Sequence, residues 1–181
     1  MLRQMIERNA LTGNGVVEIA ERLSMSVAPD CARFSLRVGP EGRDEVGRAF
    51  ACVLPAKIGG LAISDDRVAI CLGPDEWLLM APPGSVQGVE IGAVHSLVDV
   101  SHREVGIEVK GRAAEWALNA VCPLDLDAMP AGSATRTILD KVQVILIKRA
   151  PDHYRIEVWQ SFAAHVWRLL AAVANEIALD L

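Results

Sequence analysis

Asp99-Val100-Ser101-His102-Arg103 gathers a carboxylate, a hydroxyl, an imidazole and a guanidinium within one short stretch. An imidazole beside a carboxylate and a hydroxyl can relay protons near neutral pH. The same residue types at a strand end also bond local backbone and close a turn, and we read them that way. His95, His153 and His165 are remote from one another in sequence and lack ligand spacing, so no metal site is expected. Asp75 and Glu76 are paired acids, but neighbours on a strand point to opposite faces and cannot jointly flank a substrate. Turn formation and contact with a partner fit them better. The four cysteines form no C-x-x-C pair, and three lie in apolar runs, which predicts buried, reduced thiols.

Familiar catalytic frames are missing. The chain contains no G-x-G-x-x-G, Walker A loop, H-E-x-x-H or G-x-S-x-G segment, so the sequence names no catalytic or cofactor-binding residue. Trp77, Trp116, Trp159 and Trp167 supply most of the aromatic bulk, and packing is the first explanation for each. Trp167 stands outside the stripe drawn by Phe162, Val166, Leu169, Leu170, Val173 and Ile177, which makes it the expected anchor of a partner interface. Met5 and Ile6, on an arm without a periodic apolar face, are expected beside it. Asp75, Glu76, His102 and Arg103 complete the expected contact set.

The elements that must position these residues follow from periodicity. Val68 to Met80 reads as two apolar strands around Gly73-Pro74-Asp75, a β-hairpin buried on both faces. Ile145 to Val158 repeats the layout, with Pro151, Asp152 and Tyr154 in the places of Pro74, Asp75 and Trp77. Ahead of each hairpin comes an alternating strand (Phe34, Leu36, Val38; Val105, Ile107, Val109). A helix-spaced apolar set follows it (Val46, Phe50, Val53, Leu54; Ala114, Ala117, Leu118, Val121), and then a glycine loop. Val17 to Val27 alternates as a strand or strand pair. Residues 81–95 carry scattered Gly and Pro and read as a connecting loop. Ser161 is the expected N-cap of the last and longest helix. The expected fold is α+β: duplicated β-β-α-β-β-α units forming antiparallel sheet packed with helices. It is one domain with an internal two-fold repeat, about 16–95 and 96–181, preceded by an arm at 1–15.

Bulk composition narrows the function classes. A chain of 181 residues carrying net charge −5, with Lys and Arg scattered, is a poor match for nucleic acid. No run approaches the length of a membrane helix and the first residues lack a signal-peptide core, so a soluble, cytoplasmic protein is expected, without a membrane partner. The hydrophobic fraction of 51% with mean hydropathy +0.27 implies a very full core or exposed apolar patches. Such patches can pair with a second copy when partners are absent.

Taken in combination, several segments resemble the gamma subunit family of heterotetrameric sarcosine oxidase. They are Leu72-Gly73-Pro74-Asp75-Glu76-Trp77-Leu78-Leu79, Val98-Asp99-Val100-Ser101-His102-Arg103, Cys122-Pro123-Leu124-Asp125-Leu126 with Gly132 and Arg136-Thr137, and Ser161-Phe162-Ala163-Ala164-His165-Val166-Trp167. The resemblance implies a fold similar to the folate-binding domain of glycine-cleavage aminomethyltransferases. It also implies an accessory, non-catalytic role beside alpha, beta and delta subunits, in a complex that oxidatively demethylates sarcosine, or a related N-methyl amine, to glycine. FAD, FMN, NAD, zinc and tetrahydrofolate then belong to the other subunits. A free-standing folate-binding one-carbon protein is the alternative, and a binding module for another partner is a third. The chain reaches Leu181 without the extra C-terminal domain with which such transferases close their folate site, which favours the accessory reading.

Overall fold

A computed structural model describes residues 10–86 and 90–180. The elements run β1 (Val17–Ile19), β2 (Leu23–Val27), β3 (Ala32–Val38), α1 (Arg43–Phe50), β4 (Leu61–Ser64), β5 (Arg67–Gly73), β6 (Glu76–Ala81) and β7 (His95–Asp99). A 3-10 turn at Ser101–Arg103 leads into β8 (Glu104–Lys110), α2 (Ala114–Asn119), β9 (Ser133–Leu139), β10 (Val142–Ala150), β11 (His153–Trp159) and α3 (Gln160–Ala178). They form a six-stranded sheet in the order β1-β2-β8-β11-β10-β9 and a five-stranded sheet in the order β4-β5-β6-β3-β7, antiparallel throughout.

Three apolar clusters define the layers. Ala117 and Leu118 of α2 and Val166, Leu170, Val173 and Ile177 of α3 cover Ile107, Leu146 and Ile156 on one face of the larger sheet. Val46 and Phe50 of α1 cover Leu36, Ala69, Trp77 and Leu79 on the outer face of the smaller sheet. Between the sheets, Val68, Ile70, Leu78 and Met80 meet Ala134, Ile145 and Ile147. Hence the β5–β6 and β10–β11 hairpins have an apolar neighbour on either side, and their sequences are apolar at consecutive positions rather than alternating.

The two hairpins match in detail. In each, the register shifts one step before the turn, after Cys71↔Trp77 in one and Lys148↔Tyr154 in the other. The aromatic residue at that point is buried and its polar tip ties the hairpin to the segment ahead of it, the loop after α1 in one case and α2 in the other. Trp77 Nε1 donates to the Pro55 carbonyl at 2.9 Å, and Tyr154 Oη donates to Glu115 Oε2 at 3.2 Å. The first strand of each hairpin begins at a tight turn with an aspartate in the left-handed region, Asp65 (φ 52°) and Asp140 (φ 53°), which short polar side chains tolerate. The leading strands cross over: β2, from the first half of the chain, pairs with β8, while β7 pairs with β3. The two sheets also touch where Ala134 N–H donates to the Gly59 carbonyl at 3.0 Å.

Some expectations are corrected. Helix α1 stops at Phe50 because Ala51 turns left-handed (φ 54°) and the Cys52 amide bonds back to Gly47, which leaves Val53 75% exposed instead of on the helix face. Strands β4 and β9 stand between the glycine loop and the hairpin in each half, where the sequence reading placed no strand. Ser161 does not cap α3: the helix continues directly from β11 with Trp159 at the cap and no side-chain cap bond. Among the described residues no helix is long and apolar enough to cross a membrane.

Candidate partner surface and inter-sheet cavity

The seam between the sheets is apolar along β5 and β10 and charged along β8 and β11. Period-two alternation turns Glu104, Gly106 and Glu108 of β8, with Arg155 and Glu157 of β11, toward the smaller sheet. Arg33 on β3 reaches across that gap, its Nε donating to Glu157 Oε2 at 2.6 Å, while Arg155 Nε donates to Glu157 Oε1 at 2.5 Å. Arg155 Nη1 also lies 3.5 Å from Glu108 Oε1, and the other oxygen of Glu108 meets His153 Nε2. The Glu157 side chain is wholly buried and that of Arg33 is 2% exposed. Gly106 gives the network its room, since a Cβ there would stand 2.8 Å from Ala28 Cβ and 2.9 Å from Arg155 Nη2.

At one end of this seam a cavity of about 120 Å³ is lined by Glu76, Arg103, Glu104, Arg136, Glu157 and Trp159, among others. Its rim is held by ion pairs. Arg136 Nη2 donates to Glu76 Oε1 at 2.6 Å, and Arg37 joins Glu76 (3.3 Å) to Asp75 (2.9 Å). Arg103 Nη2 donates to Glu104 Oε1 at 3.2 Å, and the guanidinium lies 5.4 Å from the centre of the Trp159 ring. The Glu104 side chain is 5% exposed, and its second oxygen has no hydrogen-bond partner among the described residues. Burial first, and then the charge of Glu157, push its pKa above the usual carboxylate range.

A raised carboxyl pKa means that the folded state prefers the protonated acid, so the fold loses stability as pH rises through the raised value. Glu104→Gln removes that charge at nearly constant shape. The variant should be more stable than the wild type at pH 8, because it keeps the shape of the acid and carries no buried charge. The gap should close as pH falls toward 5. Urea unfolding of both proteins at the two pH values checks this, and a variant that is less stable at both would refute it.

The proton-relay arrangement suggested by Asp99, Ser101 and His102 does not form. Asp99 Oδ1 accepts from the Ser101 amide at 2.8 Å and the Ser101 hydroxyl at 2.6 Å, which lowers the Asp99 pKa and closes a local turn. The Ser101 hydroxyl oxygen also accepts the Arg33 amide at 2.9 Å, which ties β3 to that turn. His102 is exposed beside it. His165 faces Asp140 at 3.4 Å, all four cysteines are free thiols, and burial raises the pKa of Cys31, Cys52 and Cys71. Among the described residues no group of three His, Cys, Asp or Glu side chains is arranged to hold a metal ion.

Of the residues expected at a partner surface, the structure brings Glu76 and Arg103 to one cavity, with Asp75 linked to its rim and His102 next to Arg103. Met5 and Ile6 lie outside the described residues. Trp167 is a correction. It is 6% exposed and packs in the core beneath α3, because the buried stripe is Ala163, Val166, Trp167, Leu170, Val173, Ala174 and Ile177. Phe162, placed in the core by the sequence reading, is instead 44% exposed, with its ring 6.4 Å from that of Trp159, which is 45% exposed. This aromatic corner was missed. Its signal was two aromatic residues three positions apart where a strand runs into a helix.

Comparison with known proteins gives this geometry a family. The model of the sarcosine oxidase gamma subunit family matches residues 40–176. The sarcosine oxidase subunit gamma of Corynebacterium sp. (strain P-1) is 30% identical over 150 residues, covering 78% of this chain and 74% of that protein. That of an Arthrobacter species is 28% identical over 148 residues, covering 77% and 73%. Among solved structures, the heterotetrameric sarcosine oxidase from Corynebacterium sp. U-96 in complex with pyrrole 2-carboxylate contains a chain similar to this one. It superposes with TM-score 0.80 at 26% identity, covering 88% of this chain and 87% of the other. The glycine cleavage system aminomethyltransferase T from Bartonella henselae shares the fold, with TM-score 0.65 at 14% identity over 84% of this chain and 46% of that one. The chain belongs to the sarcosine oxidase gamma subunit family.

Proposed function

We propose that this chain is a non-catalytic accessory subunit of a sarcosine oxidase complex, which oxidatively demethylates sarcosine to glycine and passes the one-carbon unit to tetrahydrofolate. The observation that carries the reading is the family match across most of the chain, from the helix α1 region to the end of α3. Its partners are the alpha, beta and delta subunits of a cytoplasmic assembly. FAD, FMN, NAD, zinc and tetrahydrofolate are bound by those subunits. The matched hairpins and the crossed leading strands support an internal duplication, with units of about 16–95 and 96–181.

The docking surface is the corner formed by Trp159, Phe162, Arg103 and His102, next to the Asp75–Glu76 turn. Exposed Trp and Arg side chains are the types that dominate interface energetics. A guanidinium already laid against an indole is pre-ordered for contact, so little side-chain entropy is lost on binding. Co-expression with the host's other sarcosine oxidase subunits tests the assignment. The pair of changes Trp159→Asp and Phe162→Asp should lower recovery of this chain in the complex by at least about tenfold, the effect expected for loss of one hot-spot residue. The isolated variant should keep its fold. Undiminished recovery would place the interface elsewhere.

A further inference from the structure

We propose that the cavity at the end of the inter-sheet seam binds a small zwitterion, an amino acid of glycine size, with its ammonium on Glu104 and its carboxylate on Arg136 and Arg103. The cavity holds about 120 Å³, room for several water molecules and therefore for a small organic molecule. Its lining carries both signs of charge. On the acidic side, the second oxygen of the buried Glu104 has no partner among the described residues, whereas the other two acids of the lining are bonded, Glu157 by Arg33 and Arg155 and Glu76 by Arg136 and Arg37. A buried carboxylate oxygen left in this state calls for a donor, and an ammonium group brings three. On the basic side, Arg103 and Arg136 are each bonded through a single nitrogen, to Glu104 and Glu76 respectively. A guanidinium has five N–H donors, so both keep donors for a ligand carboxylate. Methylammonium or acetate alone would satisfy one side only. This inference rests on the cavity and not on assembly with other subunits.

The test uses amide NMR spectra of the full chain titrated with glycine, and with acetate and methylammonium as its two halves. Glycine should shift the amides around Glu104 and Arg136 in a saturable way, with each half binding at least about tenfold more weakly. Glu104→Gln should weaken glycine at least about tenfold while its spectrum elsewhere matches the wild type. Arg136→Gln, a change at a partly exposed side chain, should do the same. No saturable shift with glycine would show that the cavity holds only water and would overturn the proposal. So would glycine binding that survives both substitutions, or acetate binding as tightly as glycine. None of these outcomes bears on whether the chain joins a sarcosine oxidase complex.

Discussion

Glu157→Ala is expected to destabilise the chain by about 3–5 kcal/mol, the cost of removing one partner from a buried ion pair. Glu157 accepts from two arginines, Arg33 of the smaller sheet at 2.6 Å and Arg155 of its own strand at 2.5 Å. The side chains of Arg33 and Arg155 are only 2% and 7% exposed. Truncation leaves two guanidinium groups in a closed seam with their main counter-charge gone. Arg155 keeps Glu108 at 3.5 Å, but among the described residues Arg33 keeps only the exposed Asp30 at 3.9 Å and the Cys31 carbonyl. At about 2–4 °C per kcal/mol for a domain of this size, the midpoint should fall by roughly 6–20 °C. Replacing Arg33, Glu157 and Arg155 together by Met, Leu and Met should cost far less than Glu157→Ala alone, because no uncompensated charge remains. Thermal and urea unfolding read both variants. A loss below about 1 kcal/mol for Glu157→Ala would mean that water reaches the seam and the charges are screened.

Trp167→Asp should abolish folding, whereas Trp159→Asp should leave it intact. Truncating a buried Trp costs about 3–5 kcal/mol from lost transfer energy and cavity formation, and an aspartate adds the penalty of burying an unpaired charge. Total stabilities of about 5–15 kcal/mol leave little margin. Trp167 is 6% exposed within the layer between α3 and the larger sheet, while Trp159 is 45% exposed at the end of β11. Circular dichroism and solubility of the two proteins separate the roles. A folded Trp167→Asp protein would contradict the placement of that side chain in the core.

The same tryptophan shows where sequence reading succeeds and where it slips. The hairpins at 67–81 and 142–159 were legible because a hydrophobic run around a Gly-Pro-Asp or Pro-Asp turn leaves few alternatives, and each residue had a turn-specific reason to be there. Helix α3 was legible for its length and periodicity, but its face was not. Its wheel carries apolar residues well beyond the buried stripe, at Phe162 and Leu169, so a reading that began from Phe162 was rotated by one position. What rotates it back is contact with β8 and β11, which local pattern does not encode. The strands β4 and β9 were passed over because each is an edge strand with alternate residues exposed, among them Ile63 and Ile138. The charged seam was invisible for a different reason. Arg33 and Glu157 are separated by 124 residues, and a lone charge inside a strand pattern reads as a solvated face until the opposing sheet is placed over it. Asp75, Glu76, His102 and Arg103 were singled out as turn residues with spare polar groups, and the cavity rim they share or adjoin is a product of sheet packing.

The most direct measurement of the central claim is the subunit composition of the complex purified from the native host through a tag on this chain. An accessory gamma-family subunit should bring down alpha, beta and delta partners in equal amounts, in an assembly that carries flavin and turns over sarcosine. The chain on its own should show neither flavin absorbance nor turnover. Recovery of the chain alone, or of an active sarcosine oxidase from which it is absent, would contradict the account.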